Sequence, residues 1–404
     1  MDIKIIHSTS DVFYDDKNGE LKDRLTALGG REAGICYMSE SYFSKAIGNN
    51  ESAMRRANTI LGSGHHSPFD HGSIGLEISG IPKIMAMLLN SIETYTTSEK
   101  SARYTFMQPE TEVEREVYYK WLDIFKKRIA DIAAEKGFDM TEKEIEKLAL
   151  ENARYMISVF TPTSMGYTVS FREMCYLCDW LEILIGKLES HSNSFNDRLL
   201  PYCKEMLEKL SDICGRVVHD NKGNYFQFMG SQHGYNIPTN HTFGDVYQTT
   251  YTGSFAQLAQ AQRHRTIHYE MFFSGDEPGE FGCYIPKALN TKELRDEWVK
   301  DFDRVKEFFP QCTLVPILEC GRAYWFFVKC KERLCGRAQL EIADRTAKTL
   351  KFFLTAEDSL SDANFDLLSK CTPNGKVVPK CCFDGFTCTE KCRWGAKYGI
   401  DREI

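Results

Sequence analysis

The chain has 404 residues, 42% of them hydrophobic and 26% charged, and its 57 acidic and 50 basic side chains give a net charge of −7. This composition excludes a disordered, collagen-like or coiled-coil protein, and the length allows two or three domains or one duplicated fold. The acidic balance removes a general attraction to nucleic acid or anionic membranes, so we expect neither as a partner. Without a long apolar run or a secretory signal pattern, we expect a cytoplasmic protein.

A strand and a short helix are the first elements with a clear pattern. Ile74, Leu76 and Ile78 alternate with smaller or polar residues and predict a strand over 73–79. Gly80 and Pro82 then predict the start of a helix that runs through 84–89.

Longer amphipathic helices follow in the first half. Helical spacing of apolar residues begins near Trp121 and stops at Gly137, and Thr141 with Glu144 forms a capping box for a helix toward Tyr155. The remaining patterns predict two more helices, over 172–189 and 197–217. The polar stretch 219–224 that follows is predicted to be a linker.

The order of elements begins again after this linker. A strand pattern over 245–251 is followed by a helix pattern over 255–262, and alignment of Gly80 with Gly253 places Asn90 opposite Arg263. Further on, 167–189 matches 326–354 as a β-rich stretch followed by a long amphipathic helix. Similarity over about 200 residues predicts a duplicated domain, with far-diverged repeats over 1–218 and 225–404.

The fifteen cysteines fall into two groups. In a chain without an export signal, those scattered through apolar segments are predicted to be reduced core thiols, namely Cys36, Cys175, Cys178, Cys203, Cys214, Cys283, Cys312, Cys320, Cys330 and Cys335. The others crowd into the tail segment 371–392, where they predict either a structural zinc site or free or disulfide-linked cysteines: Cys371, Cys381, Cys382, Cys388 and Cys392.

Two clusters of polar residues are candidates for anion binding. Arg263, His264 and Arg265 follow Gln260 at a predicted helix end, and this pattern suits either an anionic ligand or a solvated basic helix end. Glu99, Ser101 and Arg103 are spaced two apart, so an extended segment would present all three on one side, as would an ordinary surface strand.

A third polar segment, residues 63–71, contains the adjacent histidines His65 and His66 after Gly64. Because no cysteine or carboxylate pattern accompanies them, a cap or a ligand contact is favoured over a metal site.

The sequence resembles the flavin-dependent thymidylate synthase family in segments that follow the family's order across both halves. Residues 64–71 resemble its Gly-His-x-Ser/Thr-Pro-Phe-Glu-His motif, and 99–103 and 263–265 resemble its Glu-x-Ser-x-Arg and Arg-His-Arg motifs. Residues 153–155 and 167–173 resemble its Ala-Arg-Tyr and Thr-Val-Asn-x-Arg stretches. Residues 332–342 resemble its Leu-Arg-x-Cys-x-Arg-Ala-Gln-Trp-Glu-Ile helix.

The two halves keep complementary parts of this pattern. The first half lacks Arg-His-Arg but keeps Glu99, Ser101, Arg103, Arg154 and Arg172. The second half lacks Glu-x-Ser-x-Arg but keeps Gln260, Arg263, His264, Arg265 and Arg333.

In the family the two sets of residues come from different chains of a homotetramer, so the resemblance implies a fused pseudo-dimer with one active site and one inactive site. It also implies a homodimer that forms a pseudo-tetramer, and an α+β fold in which each module packs helices on a mainly antiparallel sheet. Whether the half-sites meet within one chain or between two is left open.

The resemblance implies reductive methylation of deoxyuridine monophosphate (dUMP) to dTMP, with FAD as cofactor, methylenetetrahydrofolate as carbon donor and NADPH as reductant. It assigns Arg333 and Ser101 to the catalytic centre, Arg333 at the uracil edge and Ser101 as a contact rather than a nucleophile. The implied dUMP-binding residues are Gln260, Arg263, Glu99, Ser101, Arg103, Arg154 and Arg333. The implied FAD-binding residues are Ser67, Glu99, Arg263, His264, Arg265, Ser170 and Arg172, with Ser170 standing where the family has Asn.

Two alternatives remain beside this assignment. The same fold and substrate could give another C5 product, such as a hydroxymethylated pyrimidine. The chain could also be a catalytically inactive nucleotide-binding homologue.

Overall fold

A computed structural model describes residues 1–13, 19–35, 50–92, 94–219, 241–272, 277–356, 359–389, 392, 394 and 399–404. Cys36 and most of the predicted linker lie outside these residues. The strands are β1 (Asp2–Ser8), β2 (Ser73–Pro82), β3 (Tyr95–Glu99), β4 (Pro162–Ser170), β5 (Val246–Ser254), β6 (His268–Met271) and β7 (Leu314–Arg322). The helices are α1 (Ser10–Phe13), α2 (Leu21–Glu32), α3 (Asn50–Gly62), α4 (Lys83–Leu89), α5 (Glu112–Lys136), α6 (Glu142–Ala153), α7 (Phe171–Ser190), α8 (Ser194–Cys214), α9 (Phe255–Ala261), α10 (Lys292–Val305), α11 (Ala323–Arg333), α12 (Leu340–Leu354) and α13 (Asp362–Ser369).

The chain is an α+β protein, as predicted, because its strands pair antiparallel and its helices lie between them in sequence. One sheet has the order β1-β2-β4-β3, and the other has the order β5-β7-β6. In both sheets the strand that comes last in the chain lies between two earlier strands. The three strands β2-β4-β3 of the first sheet have the same order as the three strands β5-β7-β6 of the second. A seven-residue helix directly follows the first of these strands in each sheet, α4 after β2 and α9 after β5.

The chain divides into two compact units. The first unit takes the described residues within 1–100 and 162–227, and the second takes those within 101–161 and 228–404. This division differs from the predicted repeats, because residues 101–161 of the first repeat belong to the second compact unit. The repeat boundary itself, which concerns sequence duplication, remains a prediction.

The core of the first unit forms where β2 meets its neighbouring strand and helix. Ile74, Leu76 and Ile78, the alternating residues of the predicted strand, are fully buried. β2 pairs with β4 along almost its whole length, from Ser73 opposite Ser170 to Pro82 opposite Pro162. Period-two burial of this kind is what fixes the register of a strand.

The core of the second unit contains aromatic residues from both predicted repeats. Trp121 of α5 lies edge-on against Trp298 of α10, with ring centroids 4.8 Å apart, and Phe125 lies 5.7 Å from the same ring. The indole Nε1 of Trp121 donates to Asp301 Oδ2 at 3.0 Å, and Lys120 Nζ binds the same oxygen at 2.6 Å. The buried carboxylate is therefore paired, and residues 101–161 are anchored in this unit.

Most of the predicted elements are confirmed with small differences at their ends. α5 ends at Gly137, which adopts a left-handed φ of 68°, and Thr141 and Glu144 form the predicted capping box, with Thr141 N–H donating to Glu144 Oε2 at 2.9 Å. None of the described helices has the length and apolar composition needed to cross a membrane.

One prediction about local structure is wrong. Residues 326–333 are not β-rich but lie in α11, and the chain breaks between Arg333 and Leu340 instead of continuing as one helix. The condition under which Glu99, Ser101 and Arg103 would share one side is not met, because Ser101 C=O accepts from the N–H groups of Tyr104 and Thr105 and forms a turn after β3.

The residues that cap the two short helices are Asn90 for α4 and Gln262 for α9. Matching these helix ends would pair Asn90 with Gln262, one residue before the predicted partner Arg263, and the duplication itself remains a prediction.

Candidate active site

The basic segment of the second half lies in the turn that ends α9. Ser254 caps the start of this helix, since its Oγ accepts from Gln257 N–H at 3.0 Å. Gln260 occupies the last turn of α9, and His264 N–H donates to Ala261 C=O at 3.0 Å to close the turn that follows. The turn buries His264 and leaves Arg265 exposed.

Arg333, the last residue of α11, lies against this turn. Its Nε donates to His264 Nε2 at 2.9 Å, and its Nη2 donates to Gln260 C=O at 3.2 Å. Because a guanidinium can only donate, His264 Nε2 must be unprotonated, and the ring is the neutral Nδ1–H tautomer. Burial, reinforced by the charges of Arg333 and Lys329, lowers the pKa of His264 to about 2. His264 is therefore a fixed neutral acceptor that orients Arg333.

Arg154 reaches the same region from the other predicted repeat. It begins the short 3₁₀ turn Arg154–Met156 after α6, and only 5% of it is exposed. Its Nη2 donates to Gln339 Oε1, and Gln260 Nε2 donates to that same oxygen. Burial lowers the pKa of Arg154. One glutamine oxygen thus joins a first-repeat arginine to the α9 helix end.

The orientation of both amides follows from these contacts. Since Arg154 only donates, Gln339 must present its oxygen, and Gln260 must then present its nitrogen. Three buried polar atoms within the described structure have no hydrogen-bond partner as a result: Arg154 Nε, Gln260 Oε1 and Gln339 Nε2. Two donors and one acceptor therefore remain for a ligand.

Ser101 and Arg103 form the turn beyond β3, also in the second unit. Arg103 N–H donates to Ser101 Oγ at 3.3 Å, and Arg103 Nη2 donates to Arg337 C=O at 3.0 Å. The Arg103 guanidinium also pairs with Glu151 at 2.8 Å, and Glu151 lies on α6 one helical turn before Arg154. The turn is thereby fixed to both α6 and the segment before α12.

The second unit concentrates positive charge around these residues. Among the described residues, no carboxylate lies within ion-pair distance of Arg154 or Arg333. Burial is the main cause of the lowered pKa of Arg333, and the charges of Arg103 and Arg263 lower it further. Buried cations are normally paired, so this cluster is suited to an anionic ligand.

A buried carboxylate holds the two predicted repeats together behind this cluster. Glu341 accepts from Ser254 N–H at 2.9 Å, Ser254 Oγ–H at 2.6 Å and Tyr155 O–H at 2.8 Å. Burial raises the pKa of Glu341. The three donors come from the residue before α9 and the residue after Arg154, so the network fixes both segments.

Other predicted flavin residues lie in the first unit. Ser170 Oγ donates to Asp70 Oδ1 at 2.8 Å, and Arg172 Nη2 pairs with Asp70 Oδ2 at 2.7 Å. Ser67 begins the 3₁₀ turn that carries Asp70. Glu99 ends β3, where its carboxylate pairs with Lys83 Nζ at 2.7 Å. The predicted flavin set is therefore divided between the units, because Arg263, His264 and Arg265 belong to the second.

Adjacent to this group, His66 Nδ1 lies 2.9 Å from the Tyr176 hydroxyl and precedes the same 3₁₀ turn. The role of these histidines as a cap or a ligand contact stays a prediction.

The predicted zinc site of the tail is not supported. In the part of the chain that the structure describes, no three Cys, His, Asp or Glu side chains converge as metal ligands. Cys371 is buried against Cys330, and burial together with this hydrogen bond raises the pKa of Cys330. Cys381, Cys388 and Cys392 instead line an open cleft of about 400 Å³. Zinc needs all its ligand atoms at about 2.0–2.3 Å from one centre, and the described cysteines form no such group.

The sequence patterns gave no role to several residues that organise the site. Gln339 and Glu341 lie in the motif at 332–342, so their positions were marked, but only the fold shows what they contact. Glu151 belongs to none of the motifs. The only indication of its role in the sequence is that it lies three residues before Arg154, a spacing that places both residues on one side of a helix.

Comparison with known proteins gives one family match. Residues 28–181 match the family model described as "Thymidylate synthase complementing protein". No curated protein sequence matches the chain.

Solved structures show distant similarity. The flavin dependent thymidylate synthase ThyX from Helicobacter pylori, complexed with FAD and dUMP, is 15% identical with a TM-score of 0.28, over 53% of this chain and 97% of that one. The UMP/dUMP methylase PolB from Streptomyces cacaoi, bound with 5-Br dUMP, is 14% identical with a TM-score of 0.26, over 44% of this chain and 76% of that one. Similarity this distant does not establish a ligand.

The family match covers the segment that carries the first half-site. It includes Glu99, Ser101, Arg103, Arg154 and Arg172, and it ends before the second predicted repeat. Residues 28–181 therefore carry the similarity to the thymidylate synthase complementing protein family.

Proposed function

We propose that the chain is a flavin-dependent thymidylate synthase that methylates dUMP reductively, with methylenetetrahydrofolate as carbon donor and NADPH as reductant. The observation that supports this proposal is that residues from both predicted half-sites share one compact unit. Arg103 and Arg154 from the first half share this unit with Gln260, His264 and Arg333 from the second. The family match supports the reaction class, since it covers the first of these half-sites.

A nucleotide phosphate is the anion that this cluster suits best. Arg103 and Arg154 would bind the phosphate, aided by Ser101, Arg263 and Gln260. Guanidinium groups form paired hydrogen bonds with phosphate oxygens, which a lysine would not match in geometry. The unpartnered Arg154 Nε, together with the absence of an ion pair to Arg154 among the described residues, supports this role.

Arg333 would lie at the edge of the uracil ring. His264 and the Gln260 carbonyl hold its guanidinium by two hydrogen bonds, so the charge is oriented before the substrate arrives. A fixed positive charge there would stabilise the negative charge that develops on the ring when C5 becomes nucleophilic. Because His264 stays neutral, it orients Arg333 without adding a second charge.

FAD, when bound, would supply the reducing equivalents of the reaction. One observation in the first unit fits a ligand there, because Arg172 Nε is a buried donor without a hydrogen-bond partner in the described structure. The residues proposed to contact FAD are those that the resemblance implies: Ser67, Glu99, Ser170, Arg172, Arg263, His264 and Arg265. Glu99 would have to share its carboxylate with Lys83.

The topology supports the duplication that this proposal includes. The strand orders β2-β4-β3 and β5-β7-β6 are equivalent, with a seven-residue helix after the first strand in each. The reciprocal site would be inactive, since matching the helix ends would pair Asn90 with Gln262 and no Arg-His-Arg follows Asn90. Two such chains would form the proposed homodimer that mimics a four-subunit enzyme.

The test is product analysis with the purified full-length chain. The protein, supplied with FAD, dUMP, methylenetetrahydrofolate and NADPH, should yield dTMP by mass spectrometry, and NADPH should bleach the flavin absorbance. Arg154→Met should abolish turnover, and Arg55→Met should not, because Arg55 is a surface arginine on α3 whose side chain is 73% exposed. A hydroxymethylated product would indicate a related C5-modifying enzyme, and dUMP binding without any product would indicate an inactive homologue.

A further inference from the structure

Three buried thiols meet in the first unit, and none of them belongs to a motif of the proposed reaction. Cys175 and Cys178 lie three residues apart on α7, so they share one face of that helix, and Cys214 is the last residue of α8. Cys178 Sγ lies 3.7 Å from Cys214 Sγ. Cys175 also forms a hydrogen bond with the Cys214 thiol, and all three side chains are completely buried. These residues are called the thiol cluster below.

The turn after α8 fixes Cys214 against α7. Gly215 closes the helix with a left-handed φ of 60°, and its N–H donates to Ser211 C=O at 2.8 Å. The Arg216 guanidinium then pairs with Asp179 Oδ1 at 2.9 Å, and Asp179 directly follows Cys178 on α7. The end of one helix is thereby tied to the face of the other next to the two sulfur atoms.

Cys214 is the hydrogen-bond acceptor of the thiol cluster. The thiols of Cys175 and Cys178 donate to its sulfur, and so does the backbone N–H of Arg216. These hydrogen bonds lower the pKa of Cys214, whereas the hydrogen bond to Cys214, together with burial, raises the pKa of Cys178. Oxidants attack the thiolate and not the thiol, so Cys214 is the first target in the cluster, with a second thiol beside it to complete a disulfide.

The two sulfur atoms are close enough to bond after a small rotation. A disulfide has an S–S length of about 2.05 Å, so Cys178 Sγ and Cys214 Sγ need to approach by less than about 2 Å. Rotation of one side chain to another staggered position moves its sulfur by that much. Gly215, the residue after Cys214, is exposed, so local opening of this one turn admits an oxidant as small as a peroxide.

We propose that the thiol cluster is a redox modification site, in which a peroxide converts Cys178 and Cys214 into a reversible disulfide. The Cys214 sulfur attacks one peroxide oxygen, the O–O bond breaks, and the leaving hydroxide takes up a proton to give water and a sulfenic acid. The Cys178 sulfur then attacks the Cys214 sulfur, the S–S bond forms, and the S–O bond breaks with loss of a second water.

Two thiols and one peroxide thus give one disulfide and two waters, and a dithiol reductant reverses the oxidation by exchange. The inference does not depend on the proposed reaction, because no residue of the thiol cluster has a role in it.

The test is mass spectrometry of the full-length chain after mild treatment with hydrogen peroxide, blocking of free thiols and digestion. Trypsin cleaves after Lys and Arg and separates the buried cysteines of this unit into three peptides: 173–187 with Cys175 and Cys178, 199–204 with Cys203, and 210–216 with Cys214. The cross-link between 173–187 and 210–216 should exceed any cross-link of 199–204 at least about tenfold, since contact raises the effective concentration of the two thiols. Dithiothreitol should remove it.

Cys203 is the matched control. It is also completely buried on α8, but its sulfur donates to the Met85 thioether at 3.8 Å. Cys203→Ala should leave the cross-link unchanged, and Cys214→Ala should abolish it. Cys175→Ala should keep it, which identifies Cys178 as the partner. The cross-link in the unchanged chain identifies the peptides even if Cys214→Ala does not fold.

Several results would overturn the proposal. The first is the absence of the cross-link at a peroxide concentration that oxidises the exposed Cys388. The second is a cross-link no more abundant than those of 199–204, or one that forms only in denaturant, because pairing would then arise from the unfolded chain. The third is loss of the cross-link in Cys175→Ala, or a disulfide confined to 173–187, since either would exclude Cys178 and Cys214 as the pair.

Discussion

Arg154 and Gln260 donate hydrogen bonds to one shared acceptor, Gln339 Oε1, although they belong to different predicted repeats. The contact exists because residues 101–161 fold with the second compact unit. Residues of two predicted half-sites that are separate along the sequence therefore share one compact unit.

Replacement of Gln339 separates the structural role of the shared oxygen from the charge of the site. Gln339→Leu removes the acceptor and leaves two buried donors unsatisfied, which should lower the free energy of unfolding by about 1–3 kcal/mol per donor. Gln339→Glu keeps the acceptor and adds a charge that pairs with Arg154, so it should fold well yet weaken dUMP binding. Urea unfolding and dUMP titration measure the two effects. Equal dUMP binding by Gln339→Glu and the unchanged chain would contradict this account.

Arg154 should matter for ligand binding more than for folding. Arg154→Met removes a buried cation whose pKa is lowered chiefly by burial and which forms no ion pair among the described residues, although the charges of Glu151 and Glu341 act on it. We expect the free energy of unfolding without ligand to stay within about 1 kcal/mol or rise, since removing a buried charge relieves a desolvation cost that these carboxylates offset only in part. dUMP affinity should fall at least about tenfold, because a charge-assisted phosphate contact is lost. A large loss of stability with unchanged affinity would assign Arg154 a purely structural role.

Arg333 should affect turnover more than substrate binding. Arg333→Lys keeps a positive charge but loses the donors that bind His264 and the Gln260 carbonyl. If Arg333 stabilises charge that develops during the reaction, kcat should fall about 10²-fold while KM for dUMP changes little. Steady-state kinetics of the full-length enzyme make this comparison, and a rise in KM with kcat unchanged would place Arg333 in ground-state binding.

His264 should make the fold sensitive to acid. Its folded pKa is lowered to about 2, chiefly by burial, whereas a free histidine has a pKa of about 6.5. Below about pH 6.5 His264 is protonated in the unfolded chain but stays neutral in the folded chain. The free energy of unfolding therefore falls by about 1.4 kcal/mol per pH unit as pH decreases. Above that pH this contribution to stability is fully present.

His264→Gln isolates this effect, because glutamine can offer Arg333 an acceptor that does not titrate. Urea unfolding at about pH 7.5 and about pH 5.5 should show a smaller pH dependence in the variant than in the unchanged chain. Other titrating groups are common to both proteins and cancel. An equal loss of stability on acidification would show that His264 is protonated in the folded chain.

A buried ion pair behind the site should dominate local stability. Lys329 Nζ lies 2.7 and 2.8 Å from the two carboxylate oxygens of Glu319, and neither side chain is exposed. Lys329→Met leaves the Glu319 charge buried without its partner and should lower the free energy of unfolding by about 3–5 kcal/mol. Lys348→Met, at an exposed position of α12, is the matched control. A similar small effect for both variants in urea unfolding would contradict this.

The sequence predicts the local elements well where a physical signal lies within a few residues. The alternation of Ile74, Leu76 and Ile78 predicts β2, and the Thr141–Glu144 capping box predicts the start of α6. The turn at Ser101 is not predicted, because polar residues spaced two apart suit an extended strand equally well. Its cause is a pair of backbone hydrogen bonds to Ser101 C=O that leaves no mark in the residue pattern.

The sequence predicts which residues belong to the candidate site better than it predicts which of them contact one another. Arg103, Arg154 and Arg333 are recognised by their motifs, yet the role of Gln339 depends on a contact that spans 185 residues. The predicted zinc site fails for a related reason, since clustering of cysteines along the chain does not bring their sulfur atoms to one point.

The central claim is that Arg103 and Arg263 serve one site within one chain. It is tested most directly with Arg103→Ala and Arg263→Ala chains that carry different affinity tags, co-expressed and purified through both tags so that only mixed oligomers remain. We predict that such mixed oligomers bind dUMP no better than either variant alone, because no chain contains a complete site. Recovery of tight dUMP binding in the mixed oligomers would show that the half-sites meet between chains and would contradict the account.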